Sequence, residues 1–227
     1  MFSHAKRIAY RLLPSVILPP QGESGVHALG HRKYVGGLWD EIGELQYNFL
    51  IGRGLLPEHY LIDVACGSLR LGVKAIPYLD SGHYLGIEKE QALLDAGVEM
   101  ELGRETCLQK CPVLLQSAGF EFEKFGMKGN YAIAQSLFTH LTPELVERCF
   151  ARLFPALVPG GKFYATYNLN DGSYRNPAKP HDHACFSYTE ARICAFGASA
   201  GFRSSYLGGW GHPRMQVICE YVRPLEL

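Results

Sequence analysis

The chain has 227 residues and a mass of 25.3 kDa, which suffices for one substantial domain but not for two large ones. Its 47% hydrophobic content supports a sizeable core and excludes disordered or collagen-like classes. Lysine plus arginine and aspartate plus glutamate both number 22, so no basic excess favours a nucleic-acid partner.

The cysteines and the apolar runs bear on the cellular setting. The 7 cysteines form no CxxC pair, which is typical of reduced thiols, so we predict a cytoplasmic protein. No apolar run approaches the ~18 residues of a membrane span, so we expect no integral membrane association. Residues 1–33 are assigned to an N-terminal extension and residues 34–227 to the folded domain. Lys6, Arg7 and Arg11 leave two alternatives for the tail: a membrane-touching segment, or a disordered or loosely docked one.

Taken in chain order, the patterns predict helices and strands that alternate. A helix over 34–54 precedes the first strand, and strands and helices alternate after it. After the fifth strand comes a long polar loop, residues 168–186, which we expect to cover something. The last two strands are separated by only three residues, which is too short for a crossover helix and therefore predicts an antiparallel hairpin. The predicted strands are 60–64, 83–88, 112–116, 130–138, 162–167, 202–210 and 214–222.

These elements predict an α/β fold with a doubly wound, Rossmann-like sheet of seven strands, mostly parallel, that ends in a C-terminal antiparallel hairpin. In such a sheet, ligands bind at the carboxyl ends of the first strands. Asp63 lies at the end of the first strand and Gly67 lies in the turn after it. Glu88 ends the second strand, where its carboxylate can accept hydrogen bonds from two ribose hydroxyls. Leu69 stands where a dinucleotide site needs its second glycine, which argues against a pyrophosphate cofactor.

The segments LIDVACGSLRLG, GIEKE, YAIAQSLFTHL and LVPGGKFYATY together resemble the motifs of class I S-adenosylmethionine (SAM)-dependent methyltransferases, over residues 34–222. The resemblance implies a SAM site in which Glu88, with Lys89 beside it, holds the ribose. Ser117 is the nearest candidate for the adenine. Arg70 either meets the SAM carboxylate or forms a salt bridge elsewhere. The other residues implied for the cofactor surround the methionine part or lie beneath the sulfonium: Asp63, Ala65, Cys66, Gly67, Ser68, Leu69, Gln135 and Ser136.

A hydroxyl acceptor would benefit from a general base, and histidine is suited to that role. His140 follows the fourth strand, His183 lies in the long loop, and His212 lies in the final hairpin, so these three are the candidate catalytic residues. Each histidine has an alternative explanation as a backbone-bonded or solvated side chain. No metal site is expected, since Cys107 and Cys111 lack a partner pair.

The leading helix also admits two interpretations. Trp39 and Gln46 lie one heptad apart and hence on about the same helix face, so this helix either lids the cofactor through a hinge at Gly36 and Gly37 or simply packs.

The predicted function is therefore methyl transfer from SAM to a small, neutral acceptor, on an oxygen of a polyhydroxylated or glycosyl compound. Three alternatives remain open: a protein or lipid-linked acceptor, a non-catalytic SAM-binding partner subunit, and a nicotinamide oxidoreductase. The sequence does not indicate the oligomeric state.

Overall fold

A computed structural model describes residues 18–226. Their strands form one seven-stranded sheet in the order β3-β2-β1-β4-β5-β7-β6. The first five strands are parallel, and β7 runs antiparallel to both β5 and β6. The predicted fold class and the C-terminal hairpin are therefore confirmed. The strands are β1 Leu61–Val64, β2 Tyr84–Glu88, β3 Val113–Gln116, β4 Gly129–Ala134, β5 Leu157–Tyr167, β6 Arg203–Gly209 and β7 Val217–Val222.

Helices cover both faces of this sheet. The longest are α3 and α7, of 14 residues each. A π-helical turn, Gly97–Leu102, follows α5, and a short 3-10 helix spans Phe122–Phe125. The α-helices are α1 Gly22–Leu29, α2 His31–Tyr34, α3 Trp39–Gly52, α4 Gly72–Tyr78, α5 Gln91–Ala96, α6 Arg104–Lys110, α7 Pro143–Ala156 and α8 Glu190–Ser199.

Alternation along each strand divides the core into two apolar clusters, one on each side of the sheet. On β1, Ile62 and Val64 join the cluster that contains α7 and α8, whereas Leu61 joins the cluster that contains α3 and α4. Because both faces are covered, the central strands β1, β2 and β4 consist mainly of buried apolar residues, and their polar residues Asp63 and Glu88 lie near the carboxyl ends. This explains why these strands appear in the sequence as mainly apolar runs.

The structure differs from the sequence prediction at several boundaries. The leading helix begins at Trp39 instead of residue 34, because Gly36 and Gly37 adopt positive φ values of 97° and 63° that break the helix. β5 begins at Leu157, before the predicted Lys162, since pairing with β4 continues across a register shift. Helix α6 was not predicted.

Residues 18–33 belong to the predicted extension, and they pack against the rest of the chain. Val26 of α1 and Tyr34 of α2 form a small apolar cluster with Leu93 of α5. The basic residues of the predicted tail lie outside the described residues. Between residues 18 and 226, no helix is long and apolar enough to cross a membrane.

Candidate functional site

A cavity of about 1280 Å³ opens at the carboxyl ends of β1, β2 and β4. Its wall contains the turn after β1, the ends of β2 and β4, and much of the loop after β5, residues 168–188. The segment 33–38 closes one side. The long polar loop therefore covers the edge of the sheet at which an open α/β fold places its ligand.

The turn after β1 bends sharply through alternate residues with positive φ. Ala65, Gly67 and Leu69 have φ values of 58°, 57° and 66°. Only Gly67 could be identified from sequence, because a non-glycine residue in this conformation carries no local signal. A Cβ at Gly67 would lie 3.0 Å from Val35 Cγ1, so the glycine allows segment 33–38 to approach the turn.

Glu88 is held at the end of β2 by backbone amides. Its Oε2 accepts a hydrogen bond from the Gly67 amide at 3.1 Å, and its Oε1 accepts from the amides of Lys89 and Glu90. Burial raises the pKa of Glu88, and the three amide hydrogen bonds oppose that rise. These bonds fix the carboxylate in the cavity wall, as a residue that recognises hydroxyl groups requires.

Asp63 lies in β1 just before the same turn and Cys66 lies within it, and both residues line the cavity. Asp63 Oδ2 accepts a hydrogen bond of 2.6 Å from the Tyr84 hydroxyl, and burial raises the pKa of Asp63 to about 7. Burial also raises the pKa of the Cys66 thiol, which keeps it protonated. By contrast, Ser68 and Leu69 do not line the cavity: Ser68 Oγ lies 3.3 Å from His31 Nδ1, and Leu69 belongs to the core.

Arg70 is a buried cation in the cavity wall. Its Nη1 donates to the backbone carbonyls of Val35 and Gly37, and its Nη2 donates to Gln135 Oε1. Burial lowers the pKa of Arg70 to about 10. No carboxylate among residues 18–226 forms an ion pair with Arg70, so the predicted salt-bridge alternative does not hold there. Arg70 is thus a cation available to an anionic ligand group.

The end of β4 brings Gln135 and Ser136 into the cavity wall. The Ser136 amide donates to Thr166 Oγ1, and the Ser136 hydroxyl donates to Gln216 Oε1. Gln216, next to β7, also lines the cavity, and sequence reasoning missed it because it lies 80 residues from Ser136.

The three candidate histidines have different surroundings. His140 lines the cavity, and its Nδ1–H donates to the Ala184 carbonyl at 2.6 Å. His183 also lines it, and its Nε2–H donates to the Pro20 carbonyl. Burial lowers the pKa of His140.

The prediction that His212 faces the acceptor is wrong. The ring is buried and does not line the cavity: Nδ1 accepts from the Arg214 amide, and Nε2 lies 3.0 Å from Gln135 Nε2. Burial and nearby arginines lower the pKa of His212 to about 4. The His212 ring contacts the Gln135 side chain and can therefore help to hold it in place.

The loop after β5 is joined to the N-terminal segment through Asp182, which sequence analysis missed. Asp182 accepts hydrogen bonds from the Tyr34 hydroxyl and the Gly22 amide, and it forms a 2.5 Å ion pair with Lys89. Ser117, the predicted adenine residue, also lines the cavity, and its hydroxyl donates to Glu121. The described residues contain no cluster of His, Cys, Asp and Glu suited to a metal ion.

No protein-family profile matches the sequence. Solved structures do match it. Magnesium protoporphyrin IX methyltransferase from Synechocystis PCC 6803, solved with bound S-adenosylhomocysteine (SAH), is 14% identical with a TM-score of 0.63, over 85% of this chain and 92% of that one. A SAM-bound amino pentose methyltransferase, CalS10 from Micromonospora echinaspora, is 16% identical with a TM-score of 0.59, over 92% and 99%. The chain therefore has the class I SAM-dependent methyltransferase fold.

Proposed function

We propose that this chain, which has the class I SAM-dependent methyltransferase fold, transfers a methyl group from SAM to a small-molecule acceptor. One observation carries the proposal: a single cavity is lined by the Gly67 turn with Glu88, by His140, and by the loop after β5. Cofactor and acceptor would thereby meet within one enclosed space, which is the requirement for in-line transfer.

The residues present fit this cofactor. The Arg70 cation forms no ion pair among residues 18–226 and suits a ligand carboxylate, while the fixed Glu88 oxygens suit the ribose. Gln135 and Ser136 would lie beneath the reacting centre, and Ser117 beside the adenine. When bound, SAM supplies a methyl group on a positively charged sulfur, which is already activated toward nucleophiles.

His140 is the residue we propose as the general base. A carbonyl oxygen can only accept, so the bond to Ala184 places the ring proton on Nδ1 and leaves a lone pair on Nε2. The lowered pKa keeps the ring neutral near pH 7. A neutral imidazole with a free nitrogen lone pair can take a proton from an acceptor hydroxyl.

For the acceptor, we propose an oxygen of a polyhydroxylated or glycosyl compound. The loop after β5 contributes hydrogen-bonding side chains to the cavity wall, such as Asn168 and Ser187, and these suit hydroxyl groups. The fold's occurrence in an amino pentose methyltransferase supports a sugar-like acceptor. Arg214 and Lys33 also line the cavity, so we do not restrict the acceptor to neutral compounds. A cytoplasmic location and the absence of a nucleic-acid partner stay predictions.

Calorimetric titration with SAH, in parallel with NAD, tests the cofactor. We expect SAH to bind and NAD not to bind. The Glu88→Ala variant should weaken SAH binding at least tenfold, since a hydrogen bond to a charged group contributes about 1.5–3 kcal/mol. Glu90→Ala removes a neighbouring carboxylate that does not line the cavity, and it should leave the affinity unchanged.

Thermal unfolding of both variants, measured in the absence of ligand, is the control for misfolding. Wild-type protein that binds NAD but not SAH would contradict the proposal. Methyl-labelled SAM incubated with a panel of sugars and glycosides then tests the acceptor class. Labelling of proteins or lipids alone would instead favour the macromolecular alternatives.

A further inference from the structure

The mouth of the cavity carries exposed apolar side chains. Leu38 and Leu169 line the cavity and are both exposed to solvent. Met215 is exposed as well, and its neighbours in the chain, Arg214 and Gln216, line the cavity. A single exposed leucine on a protein surface needs no explanation, whereas three large apolar side chains around one opening mark an interaction surface.

Two cations accompany these apolar side chains. Lys33 and Arg214 line the cavity, and neither forms an ion pair among residues 18–226. Arg214 Nη2 donates to the Gly36 carbonyl oxygen, so the loop before β7 contacts the segment 33–38. Exposed apolar groups beside unpaired cations complement an anionic lipid surface, where apolar side chains reach the acyl chains and cations meet the headgroups.

The sequence that precedes Leu18 has the pattern of a segment that binds in the plane of a lipid surface. Residues 1–17 contain Lys6, Arg7 and Arg11 and no acidic residue, although the whole chain has zero net charge. At helical spacing, these three cations fall on one face, and Pro14 ends the pattern. The opposite face is apolar and consists of Phe2, Ala5, Ile8, Ala9, Leu12 and Leu13. The sequence thus predicts a basic, amphipathic helix over residues 2–13.

The position of Leu18 connects this segment to the cavity. Leu18 and Pro19 both line the cavity, so the chain enters the described domain there. The distance from Pro14 to Leu18 is at most about 14 Å, because each residue adds at most about 3.6 Å. A helix that ends before Pro14 would therefore stay beside the cavity.

We propose that the mouth of the cavity docks on an anionic bilayer, with residues 2–13 in the headgroup region and Leu38, Leu169 and Met215 in contact with the lipid. The cations contribute electrostatic attraction and the apolar side chains contribute burial, so that the two act together. The docking corresponds to the membrane-touching alternative for the N-terminal tail. It goes beyond the proposed function, and it does not require SAM.

Sedimentation of the full chain with lipid vesicles tests this docking. The probes are vesicles of phosphatidylcholine alone and vesicles that also contain phosphatidylserine. We expect binding to the anionic vesicles only, with release at high salt, because ions screen the attraction. The double variant Arg7→Gln, Arg11→Gln should weaken this binding at least about tenfold, since each basic residue near an anionic membrane contributes about fivefold.

Met215→Gln tests the cavity mouth itself, and Met100→Gln is the matched control. The two methionines are similarly exposed, at 65% and 69%, but Met100 lies in the π-helical turn, where neither it nor its chain neighbours line the cavity. Met215→Gln should weaken binding to the anionic vesicles about fivefold through lost apolar burial, and Met100→Gln should leave it unchanged. Equal melting temperatures of the two variants exclude misfolding as the cause.

Three results would overturn the docking. The full chain does not bind anionic vesicles, as expected if residues 1–17 instead pack on their own domain or on a second copy of the chain. It binds neutral vesicles equally well, which excludes recognition of negative charge. The two methionine variants bind alike, which excludes the cavity mouth as the contact surface.

Discussion

A single hydrogen bond decides what the ring of His140 can do. The Ala184 carbonyl accepts a hydrogen bond from Nδ1–H, so the ring proton stays on Nδ1 and Nε2 carries the lone pair. His212 has a similar position in the sequence pattern, near the end of a strand, but its Nδ1 accepts from Arg214 and its ring is buried outside the cavity. The chemistry of a histidine therefore follows from its hydrogen-bond partners more than from its place in the chain.

His140→Ala should lower kcat by about 10²-fold or more while SAH still binds, since a general base contributes about 10²–10⁴-fold. Burial lowers the pKa of His140 below its ordinary value of about 6.5, so activity should be constant near pH 7 and fall only at lower pH, as Nε2 becomes protonated. That acidic decline should disappear from the residual activity of the variant. Measured pH profiles of kcat check both points.

His183→Ala is the control, because His183 also lines the cavity but is joined to Pro20. It should keep the acidic decline. A His140→Ala enzyme with kcat within about twofold of the wild type would exclude the role of His140 as a base.

At the scale of elements, the loop after β5 and helices α1 and α2 form one cover. Asp182 joins them, since it accepts from the Tyr34 hydroxyl and the Gly22 amide and pairs with Lys89 beside Glu88. His183 adds a bond to Pro20. The cover is thus attached to the strand end that carries the proposed ribose-binding carboxylate.

Asp182→Asn should release this cover locally. The substitution removes the charge that pairs with Lys89 and weakens the bond from Tyr34, while the sheet keeps all its contacts. Amide hydrogen exchange should therefore accelerate together in residues 20–34 and 168–188, and stay unchanged in β1 and β4. Ser173→Ala, within the same loop, removes a hydroxyl that donates to Asp171 Oδ1, and it should leave the exchange of residues 20–34 unchanged. Acceleration in only one of the two segments would show that Asp182 does not join them.

At the scale of the whole molecule, one sheet holds the two apolar clusters together. Phe150 of α7 is fully buried, and its ring contacts those of Phe138, Phe163 and Tyr221. The clusters share the strands between them, so we expect the described domain to unfold cooperatively.

Phe150→Ala should reduce the free energy of unfolding by about 3–5 kcal/mol, because it leaves a cavity among rings that cannot close it. Urea denaturation measures this change. Leu108→Ala is the matched control: Leu108 is 79% exposed, so its loss should change stability by at most about 0.5 kcal/mol. Equal effects of the two substitutions would contradict the described core.

Some features of this protein follow from short-range sequence patterns, and others do not. The hairpin of β6 and β7 was predictable because three residues cannot hold a crossover, and Glu88 was predictable because it ends an apolar run. Asp182 and Gln216 were not predictable, since their partners lie 93 and 80 residues away in the chain. The break before α3 was missed because its apolar spacing continues across two glycines.

The sequence by itself determined the order and type of the strands and of the helices other than α1, α2 and α6, and it also determined the polar residues at the ends of β1, β2 and β4, because periodicity and turn chemistry act over a few residues. Only the tertiary structure decided that His140 lines the cavity while His212 does not, that Arg70 donates to Gln135, and that Asp182 joins the cover. Each of these depends on contacts between residues far apart in the chain, and such contacts form only when the sheet assembles.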